Sequence, residues 1–586
     1  MQQIRNQNGY SLLLTIFVFV LFTVLTMTLL TATLTGAKRN QISEDNVQAT
    51  ELATMGIDHL SNKINEELKE VLGEEGLTQS AFNIQLDAIL NQYLNKEINV
   101  DTGNTGTYKV KVTAVSPVDK YPLKRNVTIE SKGIVDGKVK KLTSIVQFGA
   151  QSTLETLKYT VGSYISDKCS KNKNRCIPGE GNTFLHGGVS IKGDFKVDGN
   201  LITTNRGYAK LGGEEQWISS LYPSALPADG QKYSHIVLGG KIYTFTNKPG
   251  YQNHINYLAG GNYTNKTNNI TDAFNQGEVP LIVERQPVRD DIKIEEMRST
   301  FTISKNEAVK LDLDNLTNTK DLNYPDKKVY ASYKSCERIW WDYVCTQKYD
   351  GNYIFYGNNT FGNFQTDGSL TLRNSSSSFK KTVFTNGAYI NGNLTVGNNN
   401  LHSYDSTKYE KIQLDGPVFV NGDVHIAGVN GEFNTIMYVN GNVTIEYSVI
   451  NGLNKIGSLI IFARGNIDIR NNSVNQDTPS NIKGFFYSEK ELEMFGVGSN
   501  IRIEGGISAK RIELNAIRGR ASDTKFEGSQ EVSNKYFEAS SNQVNKTSRL
   551  QIIYDPNIMN TYADLKSREP MVISVDPPQI TERKLE

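Results

Sequence analysis

The amino-acid sequence predicts an α+β, mostly β protein: an N-terminal transmembrane helix, a small antiparallel sheet behind it, then a large parallel β-solenoid. Three observations predict this. No residue from Gly9 to Ala37 is charged. Further on, the apolar period changes from that of a helix to that of a strand. One short pattern, apolar–polar–Gly–Asp/Asn–apolar–polar–apolar, then recurs along the chain.

A chain of 586 residues is too long for one ordinary core, so more than one folding unit is expected. Lys+Arg is 63 and Asp+Glu 62, a formal charge of +1, which gives no reason to expect nucleic acid as a partner. At about 1.5 Å per residue, roughly 20 apolar residues cross a bilayer, so residues 10–37 are long enough to span one. A cleavable secretory signal has a shorter apolar core, about 7–15 residues, and ends in small residues of the Ala-x-Ala kind. This run ends in Thr35-Gly36-Ala37-Lys38-Arg39 instead. The lipid bilayer is therefore the expected partner of residues 10–37.

Ahead of it lies a short polar leader, Met1 to Asn8 with Arg5, closed by Gly9-Tyr10-Ser11-Leu12-Leu13. This resembles the signal of type IV pilins and pseudopilins, which a prepilin peptidase cuts after the glycine. The resemblance implies a leader at residues 1–9, processing between Gly9 and Tyr10, and a body on the outer side of the membrane. Most pilins carry glutamate at the fifth mature position. Leu14 stands there in this chain, the apolar start found in PilX-type minor pilins. Ala49-Thr50-Glu51-Leu52-Ala53-Thr54-Met55-Gly56-Ile57 also looks like the PilX-type N-terminal run, with Thr54 in place of the usual acid. The resemblance covers residues 1–150 and implies other pilin-like subunits as partners.

Within 38–150, Val47, Leu52, Gly56, Leu60, Ile64 and Leu68 form the stripe of an amphipathic helix. A second helix is expected near Phe82 to Leu94. Alternation then begins with Tyr108, Val110, Val112 and Ala114, and Asp136-Gly137 marks a tight hairpin. A long helix followed by an antiparallel meander is the pilin layout.

Residues 151–515 are read as the solenoid. Ile191–Val197, Ile390–Val396, Val420–Ile426, Val439–Ile445 and Ala463–Ile469 share the repeated pattern. Units of roughly 20 residues with a glycine corner suit coils that stack on one another; a series of antiparallel hairpins is the alternative. The acids and amides after each glycine (Asp194, Asn393, Asp423, Asn442, Asn466) stack into either an amide ladder or a calcium column, and no metal or other cofactor is expected. The repeats are interrupted by an insertion at about 205–380, and residues 516–586 form a C-terminal extension.

The insertion carries Trp340, Trp341, Tyr343, Tyr349, Tyr353, Phe355 and Tyr356. These either fill a local core or stand exposed, where aromatic rings stack on sugars and grip partner surfaces. Trp340, Trp341 and Tyr343 are the candidate ligand-binding residues, with surface polysaccharide as the ligand class. Four cysteines outside the membrane read as two disulfides; they allow three connectivities, of which the short-range pairing of Cys169 with Cys176 and Cys336 with Cys345 is the expectation. A zinc site is the alternative, although both gaps exceed the usual two-to-four-residue knuckle.

For catalysis the sequence offers little. Its histidines are scattered, and neither a Gly-x-Ser-x-Gly elbow nor a phosphate loop occurs. Arg464, Asp468 and Arg470 are the residues of one coil suited to line a sugar groove. The leading expectation is a non-enzymatic, surface-exposed, pilin-like structural or adhesive component of a type IV pilus or related assembly. It would be a single-pass protein of a bacterial membrane with its large C-terminal part outside. A carbohydrate-binding surface protein using the helix only as an anchor, and a β-helix enzyme that degrades polysaccharide, are the alternatives.

Overall fold

A computed structural model describes residues 8–73, 76–103, 106–119, 121–150, 154–211, 214–245, 265–283, 292, 294–313, 316–522, 529–532, 535–572 and 574–585. The chain divides into two compact units, one of Met1–Ala150 with Val572–Glu586, the other of Gln151–Met571.

The first unit is built on helix α1 (Asn8–Leu72), 65 residues without a break. From Leu12 to Leu34 its large apolar side chains are all exposed. Threonines in this stretch, such as Thr23, Thr26 and Thr31, donate to the carbonyl four residues back. That leaves no hydroxyl of theirs unsatisfied in an apolar surround. From Ala49 on, one face turns inward: Ala49, Ala53, Ile57, Leu60, Ile64 and Leu68 are buried. Val47, expected on that stripe, is exposed. Helix α2 (Gln79–Tyr93) is capped by Thr78, whose hydroxyl accepts from the Ala81 amide at 3.3 Å.

Both helices are in contact with the sheet β1 (Ile98–Asp101), β2 (Thr107–Val118), β3 (Tyr121–Val135) and β4 (Lys138–Gly149), extended by the C-terminal strand Gln579–Leu585 on β4. All pairings are antiparallel. Asp136 and Gly137 form the two-residue β3–β4 turn with φ of 44° and 77°, the conformation their residue types permit. Gly133 lies where α1 crosses the sheet. A Cβ there would meet the Ala53 amide nitrogen at 2.7 Å.

The second unit holds one large mixed sheet, mostly parallel. Three strips of short strands run through it, each paired residue for residue with the next turn of chain. In one strip Leu394 pairs with Val424, Val424 with Val443, Val443 with Ile467 and Ile467 with Leu492. In a second, Ala388 pairs with Val418, Val418 with Met437 and Met437 with Ile461. The third includes Ile450, Ile482 and Ile503. These side chains point inward and form one continuous buried core.

The order of turns departs from chain order. Ile507, late in the repeats, pairs with Val161 at their start. Strand Leu550–Tyr554 lies between Ile501–Gly505 on one side and Ser190–Lys192 on the other. One turn is thus assembled from both ends of the unit: Leu550–Tyr554 with Val161–Ser163 and Thr183–Gly187. Residues 516–586 are therefore no simple extension. They supply this strand, the helix Asn557–Lys566, and the edge strand of the first unit.

The expected insertion at 205–380 is likewise corrected. Ser224–Leu226, His235–Leu238 and Ile242–Thr244 continue the strips, as do Val309–Leu313, Asn359–Thr366 and Ser369–Leu372. Their corners depart from the full pattern: Gly239-Gly240 has no amide, Gly368-Ser369 replaces the amide by serine, and Gly357-Asn358 is followed by Asn359 where the pattern has an apolar residue. Among the described residues, the sheet departs from parallel pairing where Ile242–Thr244 pairs antiparallel with Asn265–Thr267 and Leu322–Ile339 with Asp342–Lys348.

Ile191–Val197 also differs from its reading. It has the repeated pattern but turns a different corner, since Phe195 pairs with Val161 and Ile236, whereas Leu394 belongs to the strip of Val424. The corner equivalent to Gly392 is Gly199, within Val197-Asp198-Gly199-Asn200-Leu201.

Candidate functional site

The strand Leu322–Ile339 pairs with the large sheet as far as Tyr333 and then runs on into a hairpin with Asp342–Lys348. Its base is tied by Gln347 Nε2 donating to Ser332 Oγ at 2.9 Å and by a 3.1 Å ion pair of Lys334 with Asp312. Cys336 and Cys345 stand directly opposite each other and are joined by a disulfide. Ile339 pairs with Asp342, leaving Trp340 and Trp341 as the turn. They are 87% and 88% exposed, Tyr343 is 68% exposed, and Ile339 and Val344 beside them are exposed as well.

Two features of this tip run against stability. Large aromatic rings in water forgo the burial that would stabilise them. Trp340 also takes a φ of 60°, a conformation that costs a bulky side chain on the order of 1–3 kcal/mol. A glycine or asparagine would make the same turn without either penalty. Chemically the tip offers flat ring faces on a braced support, with Arg338 and Asp342 next to them for polar contacts.

The remaining aromatics of this region separate from it. Tyr353 and Phe355 are in the core; Tyr349 packs edge-on to Tyr330 with Lys305 Nζ 4.4 Å from its ring centre. Trp340, Trp341 and Tyr343 thus share the exposed end of the hairpin.

Elsewhere, Gly9 and Tyr10 lie in the first turns of α1. Cys169 is bonded to Cys176. Asn393 Oδ1 accepts from the Asp423 amide at 2.9 Å, Asp423 Oδ1 from the Asn442 amide at 2.7 Å, and Asn442 Oδ1 from the Asn466 amide at 2.9 Å. These oxygens cap the next turn of chain, as in an amide ladder. Asp194, at its separate corner, accepts from the His235 amide at 2.9 Å.

Arg464 is removed from Asp468 and Arg470. It pairs with Glu295 at 2.6 Å, on the helix Ile294–Phe301. Asp468 pairs with Arg470 at 2.7 Å, and burial raises its carboxyl above the usual range. Glu446 faces His425 Nε2 at 3.1 Å, and that hydrogen bond brings its carboxyl down to about 2 against the opposing effect of burial.

Sequence reasoning missed a column of aromatics one residue ahead of each repeat's apolar position: Tyr389, Phe419, Tyr438 and Phe462. They stack outside the sheet, ring on ring at 5.6 to 5.7 Å between Tyr389 and Phe419 and between Tyr438 and Phe462. Phe301 and Tyr562, from two helices, cover them. The signal was present as Tyr-Ile-Asn-Gly, Phe-Val-Asn-Gly, Tyr-Val-Asn-Gly and Phe-Ala-Arg-Gly.

No family model matches the sequence, and no curated protein matches it. Among solved structures, the competence-associated pilin ComZ from Thermus thermophilus is similar at 12% identity, over 92% of this chain and 97% of that one, with a TM-score of 0.20. At that score the functional reading rests on this chain's own residues.

Proposed function

We propose that this chain is a membrane-anchored, surface-exposed component of the pilin-like kind, of PilX type, whose second unit is a parallel β-solenoid displaying an adhesive hairpin. The reading makes it a binding and structural protein, not an enzyme. Helix α1 carries the proposal: one continuous element whose first half is apolar and exposed, and whose second half packs on an antiparallel sheet. The polar leader ahead of Tyr10 supports removal of residues 1–9 by a prepilin peptidase, and the parallel, in-register strips support the solenoid. The ligand reading is carried by Trp340 and Trp341, with polysaccharide as the class that two exposed ring faces suit best.

Co-expression with an active prepilin peptidase should give a mature N-terminus at Tyr10. An intact Met1, with a control substrate cut, would remove the pilin reading. Retention of the full chain on immobilised bacterial polysaccharide should fall at least tenfold in a W340A/W341A variant; equal retention removes the adhesive reading.

A further inference from the structure

A second disulfide-closed loop has the opposite character to the aromatic hairpin. Between Asp167 and Cys176 the chain makes a short helix, Asp167–Lys171, and a 3₁₀ turn, Lys173–Arg175. Ser166 Oγ accepts from the Cys169 amide at 3.3 Å, and Asn172 Oδ1 from the Asn174 amide at 3.0 Å. The base is fixed by Glu180, a buried carboxylate. It accepts from the Ser166 amide at 2.8 Å, the Ser166 hydroxyl at 2.6 Å and the Ile177 amide at 2.9 Å. The Cys169–Cys176 bond then ties the two turns together. Both sulfurs and Glu180 are thus committed to holding the loop.

What the loop holds out is charge. Lys168, Lys171, Lys173 and Arg175 are all exposed, with Asp167 the one acid among them. None of the four has an ion-pair partner among the described residues. Several other cations of this unit are matched at short range, such as Arg511 with Glu491, Arg568 with Asp415 and Arg373 with Glu410. In a chain of formal charge +1, four unmatched cations on a braced loop form a local positive field with low entropy left to lose on binding.

We propose that the loop closed by Cys169–Cys176 binds an anionic phosphodiester polymer without bases, of the poly(glycerol phosphate) class. Charge complementarity selects the phosphates, since ammonium and guanidinium groups both make charge-assisted hydrogen bonds to them. The loop has no aromatic residue between Asp167 and Cys176 on which a base could stack, only Ser170, Asn172 and Asn174 as polar neighbours, which disfavours nucleic acid. Successive cations along a bent backbone match charges repeated along a flexible polymer. This contact is distinct from the aromatic hairpin and does not depend on it.

The test uses the full chain in neutral detergent with labelled poly(glycerol phosphate) across a salt series. Each phosphate neutralised lowers the slope of log affinity against log salt by roughly 0.7, so four contacts give a slope of about −3. The K168A/K171A/K173A/R175A variant should lose more than tenfold in affinity at about 50 mM salt and most of that slope. K168R/K171R/K173R should bind like the parent. Disulfide mapping and thermal unfolding, unchanged from the parent, show that the variants are folded. Parent-like affinity in the alanine variant, or binding indifferent to salt, overturns the proposal. Tighter binding of duplex DNA of equal charge, or equal competition by phosphatidylglycerol vesicles, overturns the ligand class.

Discussion

A Cβ on Gly441 would lie 2.5 Å from the Gly422 carbonyl oxygen, and one on Gly422 would lie 2.7 Å from that of Gly392. Each glycine donates its amide to the glycine carbonyl of the neighbouring turn, at 3.0 Å for Gly422 and 3.1 Å for Gly441. The corner is therefore set by close approach of backbones, and the Asx side chain beside it caps the same step. Gly441→Ala should lower stability by roughly 2–4 kcal/mol, measured by denaturant unfolding, because the Gly422 backbone must yield along with the Asp423 side chain that caps the corner. Val443 is buried in the core and Thr444 faces outward between His425 and Asp468. Val443→Asp should be severely destabilising and Thr444→Lys nearly neutral in the same measurement. This inward–outward alternation was legible in the sequence, because a period of two leaves no other assignment for a strand with one apolar face. Glu446 adds a pH dependence. Its folded-state pKa is depressed to about 2 from an ordinary 4.5, so the stability it contributes is present above pH 4.5 and lost as pH falls toward 2. Glu446→Gln should flatten the melting-temperature profile in that window.

At the scale of elements, the Trp340–Trp341 hairpin separates stability from the proposed binding. Trp340→Gly relieves a positive φ and removes exposed apolar surface, so unfolding should be unchanged or later by about 1 kcal/mol. Binding to polysaccharide should fall in the same variant, and a fall in stability instead would mean that the ring is packed. The sequence marked these aromatics without dividing them. Tyr353 and Phe355 sit on strands of the sheet, whereas Trp340 and Trp341 lie past its edge, and composition carries no information on where a strand leaves a sheet. The strips between 205 and 380 escaped for a related reason. A corner needs close backbone approach, but Gly239-Gly240 and Gly368-Ser369 meet that need without the Asp or Asn that made other corners recognisable. Ile191–Val197 shows the converse, since an identical pattern serves a different corner when the requirement there is also a small residue beside a polar cap.

Across the second unit, the chain begins and ends in the middle of its own stack, and the turn that joins the two runs is made from segments far apart in sequence. Ile552 is fully buried with Ile503 on one side and Ile191 on the other. No sequence repeat announces this, because Leu550-Gln551-Ile552-Ile553-Tyr554 has no glycine corner of its own and its partners are chosen by the space left between two finished runs. Such a strand closes a long loop, a step whose entropy cost is met only after both runs exist, so it should form late. Ile552→Asp places an uncompensated charge in the joint core and should lower the melting temperature by several degrees. Ile282→Asp, at a half-exposed strand that among the described residues pairs only with His235–Leu238, should be tolerated. Hydrogen exchange gives the sharper readout. In the Ile552→Asp variant, amide protection should fall together at Ile501–Gly505 and at Ser190–Lys192, two segments that share no neighbour in sequence. Loss confined to Leu550–Tyr554 would mean that the two runs adhere without it, and that the C-terminal strand covers the joint without forming part of it.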